Sequence, residues 1–152
     1  MNKITNYILI LLLLFLSNCG YEAVLNNKDY QFSINVNKID GDQKINSQII
    51  NNFNKLRDKE KKYNLTLTSN KERAIISKDS KGDPSIFELK IEINYVVKKE
   101  GETLISKKIN KKTTYNNITD KFELESYERT IINNLVSEIT DNIMLSISKI
   151  SQ

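Results

Sequence analysis

Cys19 is the residue of this chain whose type and position together point most directly to a reaction. It is the only cysteine, and it stands in Leu16-Ser17-Asn18-Cys19-Gly20, directly after the apolar run from Ile8 to Leu16. Lys3 lies before that run and no acid does. A cationic start, a short apolar core and a small-residue exit are the parts of a secretory signal peptide. With a cysteine at the exit, the expected chemistry is acylation of the Cys19 thiol, cleavage before it, and anchorage of the new N-terminus by lipid. The run of nine residues is too short to span a bilayer as a helix, which takes about twenty. Asn18 stands where lipoboxes prefer Gly, Ala or Ser. Gly20 is not the aspartate that retains enterobacterial lipoproteins in the inner membrane, so the expected site is the outer membrane.

The other reactive residue types offer less. The chain has no histidine, so an imidazole base, the triads built on it and histidine-bearing zinc sites are excluded. With one cysteine there is no internal disulfide. Glu88 and Glu92 fall on one face of an alternating segment and could pair for acid–base work, but Lys90 lies between them and the spacing reads as strand surface charge. Asp40-Gly41-Asp42 begins like a calcium loop but lacks the spaced acids and the closing Glu, so it reads as a turn. There is no glycine-rich phosphate loop. No catalytic residue, metal or soluble cofactor is expected, and the chain reads as a non-enzyme.

The formal charge is +4, from 23 basic and 19 acidic residues. Bases and acids alternate, as in Arg57-Asp58-Lys59-Glu60-Lys61-Lys62, and arginine is confined to Arg57, Arg73 and Arg129. A nucleic-acid surface would concentrate its charge and favour arginine, so no nucleic-acid partner is expected. The cations with a common location are Lys98, Lys99, Lys107, Lys108, Lys111 and Lys112, which flank one hairpin. They are the candidates for holding the anionic groups of a ligand.

These residues must be held by elements that the apolar periodicity marks out. Residues 1–18 are the signal peptide, 19–29 a lipidated tether, and 30–152 one domain. From Tyr30 to Ile39 the chain alternates, with Phe32, Ile34 and Val36 on one face, which predicts a strand. Ile45, Ile49, Phe53 and Leu56 recur at helical spacing behind Asp42 as N-cap, predicting a helix that ends near Glu60 to Lys62. Tyr63, Leu65 and Leu67 open a second strand, continued beyond a bend by Arg73 to Ser77. Phe87, Leu89, Ile91, Ile93, Tyr95 and Val97 alternate through a long third strand. Lys99 to Glu102 forms a hairpin turn, and the return strand runs from Thr103 to Tyr115, its lysine pairs guarding a sheet edge. Asp120 with Glu123 has the spacing of a capping box. The last helix then carries a stripe of Tyr127, Ile131, Leu135, Ile139, Ile143 and Ile147, widened by Ile132, Val136 and Ile150. A strand–helix–strand unit favours two parallel neighbours. The hairpin adds antiparallel ones, giving an α/β two-layer sandwich: two helices packed on one face of a four-stranded mixed sheet.

Cys19-Gly20-Tyr21 after the lipobox, Lys121-Phe122-Glu123-Leu124 with Tyr127-Glu128-Arg129, and this element order together resemble LptE, the lipopolysaccharide-assembly lipoprotein family of Gram-negative bacteria. Glu22-Ala23-Val24-Leu25 stands where the family continues with Pro-Leu-Tyr. The resemblance implies the same sandwich and a structural role. Such proteins sit inside the large outer-membrane β-barrel LptD, support its assembly, and bind lipopolysaccharide on its way to the outer leaflet. It thus implies a lipid-anchored protein of the outer membrane, facing the periplasm or the barrel lumen, with an LptD-like barrel and lipopolysaccharide as partners. A different class of reading is a periplasm-facing lipoprotein that binds a small ligand or serves as an accessory subunit of a transporter.

Overall fold

The computed structural model describes residues 30–56 and 59–151. The order is β1 (Phe32–Gly41), α1 (Gln43–Phe53), a short 3-10 turn (Asn54–Leu56), β2 (Lys61–Lys78), β3 (Pro84–Lys99), β4 (Glu102–Asn116) and α2 (Lys121–Ser148). The four strands form one sheet in the order β1-β2-β3-β4. β1 and β2 run parallel, with Phe32 opposite Lys61 and Gly41 opposite Ser69. The other two pairings are antiparallel. The expected mixed sheet with two helices is therefore the fold.

Both helices cover the same face. Ile45, Ile49 and Phe53 of α1, and Ile131 through Ile147 of α2, join Leu65, Leu67, Leu89, Ile91, Ile93 and Tyr95 in one buried cluster. The alternation in β3 holds throughout: Phe87, Leu89, Ile91, Ile93, Tyr95 and Val97 are all buried. Period-two burial needs a packed layer on one side only, and among the described residues no helix lies on the other face of the sheet. Leu135 of α2 is 8% exposed. Leu135→Ala should cost about 2–5 kcal/mol, read from the urea midpoint. An unchanged midpoint would place that stripe outside the core.

The caps lie where the sequence puts them. The Asp42 carboxylate accepts from the backbone N–H of Lys44 at 3.0 Å and of Ile45 at 3.1 Å, and Asp120 accepts from Glu123 at 2.8 Å. Burial pushes the Asp42 carboxyl up, but the Ile45 and Lys44 donors and the Lys71 ammonium outweigh it, and the group lies below its ordinary value. Glu100 and Gly101 at the hairpin have φ of 52° and 91°. Two successive positive φ values make the type I′ turn that suits the twist of paired strands.

Several boundaries differ from expectation. α1 stops at Phe53, short of Glu60–Lys62, because Lys61 is already paired with Phe32 in the sheet. Leu56 packs, half-buried, from the 3-10 turn. The second strand and its continuation are one strand of 18 residues, irregular only near Ser77. In β1 the register slips between Val36 and Lys38. This bulge passes Asn37 and returns Ile39 to the core side three residues after Val36. Tyr127 and Ile150 are 46% and 41% exposed. Tyr127 lies in the second turn of α2, and Ile150 lies beyond the helix end at Ser148.

Candidate functional site

Cross-strand partners share a face in an antiparallel ladder, so the register sorts the hairpin lysines. Lys107 and Lys111 lie opposite the core residues Tyr95 and Ile91 and face the helix side. Lys108 and Lys112 lie opposite Asn94 and Lys90 and face the uncovered side. β4 is an edge strand, so Lys107 and Lys111 reach solvent past the rim of α2. The Lys111 ammonium meets the Glu138 carboxylate there and ties β4 to the helix. Lys98 and Lys99 sit at the hairpin end, eight positions along β3 from the Lys90–Lys112 pair. That is roughly 27 Å at about 3.3 Å per residue. The six lysines are thus spread over two faces and most of the sheet's length.

The uncovered face is polar along its centre. Thr66, Thr68, Asn70 and Glu72 of β2 run beside Val96, Asn94, Glu92 and Lys90 of β3, and these beside Ser106, Lys108, Asn110 and Lys112 of β4. Its charges are matched. Lys108 meets Glu92 at 2.8 Å and Lys112 meets Glu88 at 2.9 Å, while Lys90 lies 3.8 Å from Glu92 and 3.9 Å from Glu72. The Lys108 hydrogen bond holds the Glu92 carboxyl below its ordinary value, and Glu88 holds the Lys112 ammonium above its own. Glu88 and Glu92 each meet a separate ammonium and not each other, unlike a dyad that shares a proton. A shallow groove of 350 Å³ crosses this face between Thr66, Thr68, Asn94, Ser106 and Lys108. Such a surface can form hydrogen bonds with a polar wall, but it has no activated nucleophile. Among the described residues no group of three or more acids could hold a metal ion, and no helix is long and apolar enough to cross a membrane.

A second cluster was not legible beforehand. The Arg73 guanidinium of β2 lies 3.7 Å from the centroid of the Phe87 ring. Its Nε donates to the Tyr115 hydroxyl at 3.1 Å and to the Glu128 carboxylate at 2.8 Å. The Tyr115 hydroxyl of β4 donates to the same Glu128 oxygen at 2.6 Å. Tyr115 also meets the Tyr127 ring at 6.0 Å. Four elements, β2, β3, β4 and α2, are pinned where α2 begins. The only prior signal was the scarcity of arginine.

Burial, and then the Glu128 carboxylate, push the Tyr115 hydroxyl up to about 12 against the opposing effect of Arg73. A raised phenol favours the protonated, folded form. Its contribution is complete below the ordinary value of 10.0 and is lost as pH rises through about 12. In an absorbance titration of the tyrosines, Tyr115 should ionise late, near that upper value. Glu128→Gln should move it part of the way back toward 10, and no movement would show that the carboxylate does not hold it.

Cys19, the signal segment and the tether lie outside the described residues. No protein-family model matches the chain, and no curated protein matches it. Solved structures share the fold. Rare lipoprotein B from Shewanella oneidensis is 15% identical with a TM-score of 0.58, covering 76% of this chain and 96% of that one. Lipoprotein B from Nitrosomonas europaea is 12% identical with a TM-score of 0.59, covering 82% and 90%. A minor lipoprotein from Acinetobacter baumannii is 11% identical with a TM-score of 0.54, covering 79% and 92%. At these identities the likeness is one of fold, and it is to the fold of bacterial lipoproteins that this four-stranded, two-helix sandwich is similar.

Proposed function

We propose that the protein is a non-catalytic outer-membrane lipoprotein, anchored through Cys19, that plugs an LptD-like β-barrel, supports its assembly and assists lipopolysaccharide insertion into the outer leaflet. The observation that carries this reading is the uncovered sheet face. A sheet face left open by two helices is an interaction surface, and this one is polar and charge-matched. It suits the polar interior of a barrel rather than the apolar core of another domain. The fold it shares with lipoproteins supports the reading, and so does the cysteine at the end of the signal core. A lipid anchor confines the plug to the membrane that holds the barrel, which raises its effective concentration there.

Crosslinking in intact outer membranes tests the first half. A photoreactive side chain at Asn94 or Asn110, on the uncovered face, should capture a very large β-barrel protein. Recovery of the lipoprotein without a barrel overturns the reading. The second half rests on the cations. Replacing Lys107, Lys108, Lys111 and Lys112 together with Gln should weaken lipopolysaccharide binding by the purified protein. High salt should weaken the wild type likewise, because exposed charge is screened over about 10 Å at 0.1 M salt. Within the set, Lys107 should matter most, since the other three already have carboxylate partners. Undiminished binding by the quadruple variant would reduce these lysines to edge protection.

A further inference from the structure

The two ends of the sheet differ in chemistry, and the covalent chain ties one of them to the anchor. The tether enters at Tyr30, whose ring packs on Phe32 at 5.2 Å, and Phe32 lies opposite Lys61 at the start of β2. The hairpin end of β3 and β4 lies at the same end, because β2 and β3 are antiparallel and Asn64 faces Lys98. The C-terminal end of α2 is there too, since the Lys61 ammonium donates to the Ser151 carbonyl.

Lysines gather at this end. Lys61, Lys62 and Lys99 line one open groove of 530 Å³ with Glu60 and Glu100, Lys98 lies opposite Asn64 of its lining, and Lys149 caps α2 at the same end, all five exposed. None of the five has an ion pair among the described residues, unlike Lys108, Lys111 and Lys112 along the sheet. With Glu102, and with Asp141 near Tyr30, the described acids number four against five lysines, so cations are in excess by one. Two large apolar side chains are exposed at the same end. Leu104 is 38% exposed where the β3–β4 register slips, and Ile150 lies just beyond α2. Lysines without carboxylate partners, with isolated apolar side chains among them, are what a surface needs to rest on anionic headgroups.

We propose that this end, marked by Lys61, Lys62, Lys98, Lys99, Lys149, Leu104 and Ile150, docks on the anionic phospholipid headgroups of the leaflet that holds the Cys19 lipid. The inference rests on the lipid-anchor reading and adds an orientation to it. The lipid holds the chain to the bilayer, and a basic surface beside it adds an electrostatic contact that fixes which end faces the headgroups. The ten residues 20–29 reach at most about 35 Å, which keeps this end beside the bilayer. The far end, with exposed Ile75, Ile76 and Phe122, lies roughly 55 Å away along the 18 residues of β2. It points away from that leaflet, toward whatever the plug meets.

The test uses the acylated protein in vesicles. With the Cys19 thiol occupied by lipid, Leu104→Cys or Ile76→Cys gives a single site for a fluorophore. Vesicles are phosphatidylcholine alone or with phosphatidylglycerol, and carry a headgroup quencher. The Leu104 probe should be quenched in the anionic vesicles, about tenfold less at high salt or with Lys61, Lys62, Lys98 and Lys99 all changed to Gln. The Ile76 probe should stay bright throughout. Protein that remains on the vesicles with both probes quenched alike, or with quenching indifferent to phosphatidylglycerol and salt, overturns the orientation while the anchor stands. Protein that leaves the vesicles overturns both.

Discussion

Gly41→Ala should be the most damaging single-atom addition in the described fold, costing about 4 kcal/mol or more. Gly41 closes β1 at φ +100°, and a Cβ there would fall 1.8 Å from the Ser69 carbonyl oxygen on β2. That oxygen and the Ser69 carbonyl carbon, 2.8 Å from the added Cβ, are backbone, so no side-chain rotation relieves the clash. The surroundings add to the cost. The Ser69 hydroxyl donates to Asn46 Oδ1 at 2.7 Å, and Asn46 Nδ2 donates to the Asp40 carbonyl at 3.2 Å. Asn46 and Ser69 are both buried, and a buried polar group that loses its partner keeps its full desolvation penalty. A backbone shift at Gly41 would break this knot and displace Asp42, which caps α1. Gly101→Ala is the control. It has a similar φ of +91°, but nothing lies within 4 Å of its added Cβ, so it should cost only about 1–2 kcal/mol of conformational strain. Urea midpoints for the two variants decide the matter. Equal losses would mean that the close approach of β1 to β2 is not what requires glycine.

Cys19→Ser should abolish acyl labelling completely and leave the precursor unprocessed. The expectation is all-or-none because the lipid is attached through a carbon–sulfur bond to this one sulfur. A serine hydroxyl is a far weaker nucleophile near neutral pH, and the thiolate is what attacks. With one cysteine in the chain, no other side chain can take its place. The measurement is incorporation of labelled fatty acid together with the mass of the mature N-terminus. Mature protein that begins anywhere but residue 19, or that carries no lipid, would remove the anchor. The proposed membrane-facing end would go with it.

Much of this architecture was written locally. The alternation from Phe87 to Val97, the four-residue stripe from Ile131 to Ile147, and the carboxylates of Asp42 and Asp120 each act within a few residues of themselves. Side-chain period and cap chemistry are properties of a strand or helix before it packs. The type I′ turn at Glu100-Gly101 belongs to the same class. The end of α1 did not, because Lys61 is claimed by a partner 29 positions earlier. The slip at Asn37 did not either, since a bulge exists only against a neighbouring strand. The charge pairs needed the register. Lys107 and Lys108 are adjacent in sequence, yet they lie on opposite faces, and only the pairing with β3 says which of them meets Glu92.

The sequence by itself determined a lone cysteine at the end of a short apolar run, the absence of any imidazole, the order of the elements and which side of each is apolar. The tertiary structure decided that both helices cover one face and leave the other open. It decided that Arg73, Tyr115 and Glu128 meet, and that the lysines without carboxylate partners gather at the end where the tether enters. The physical reason is range. Periodicity and capping act over one or two turns, whereas an ion pair, a bulge or a shared end of the sheet depends on residues brought together from dozens of positions apart.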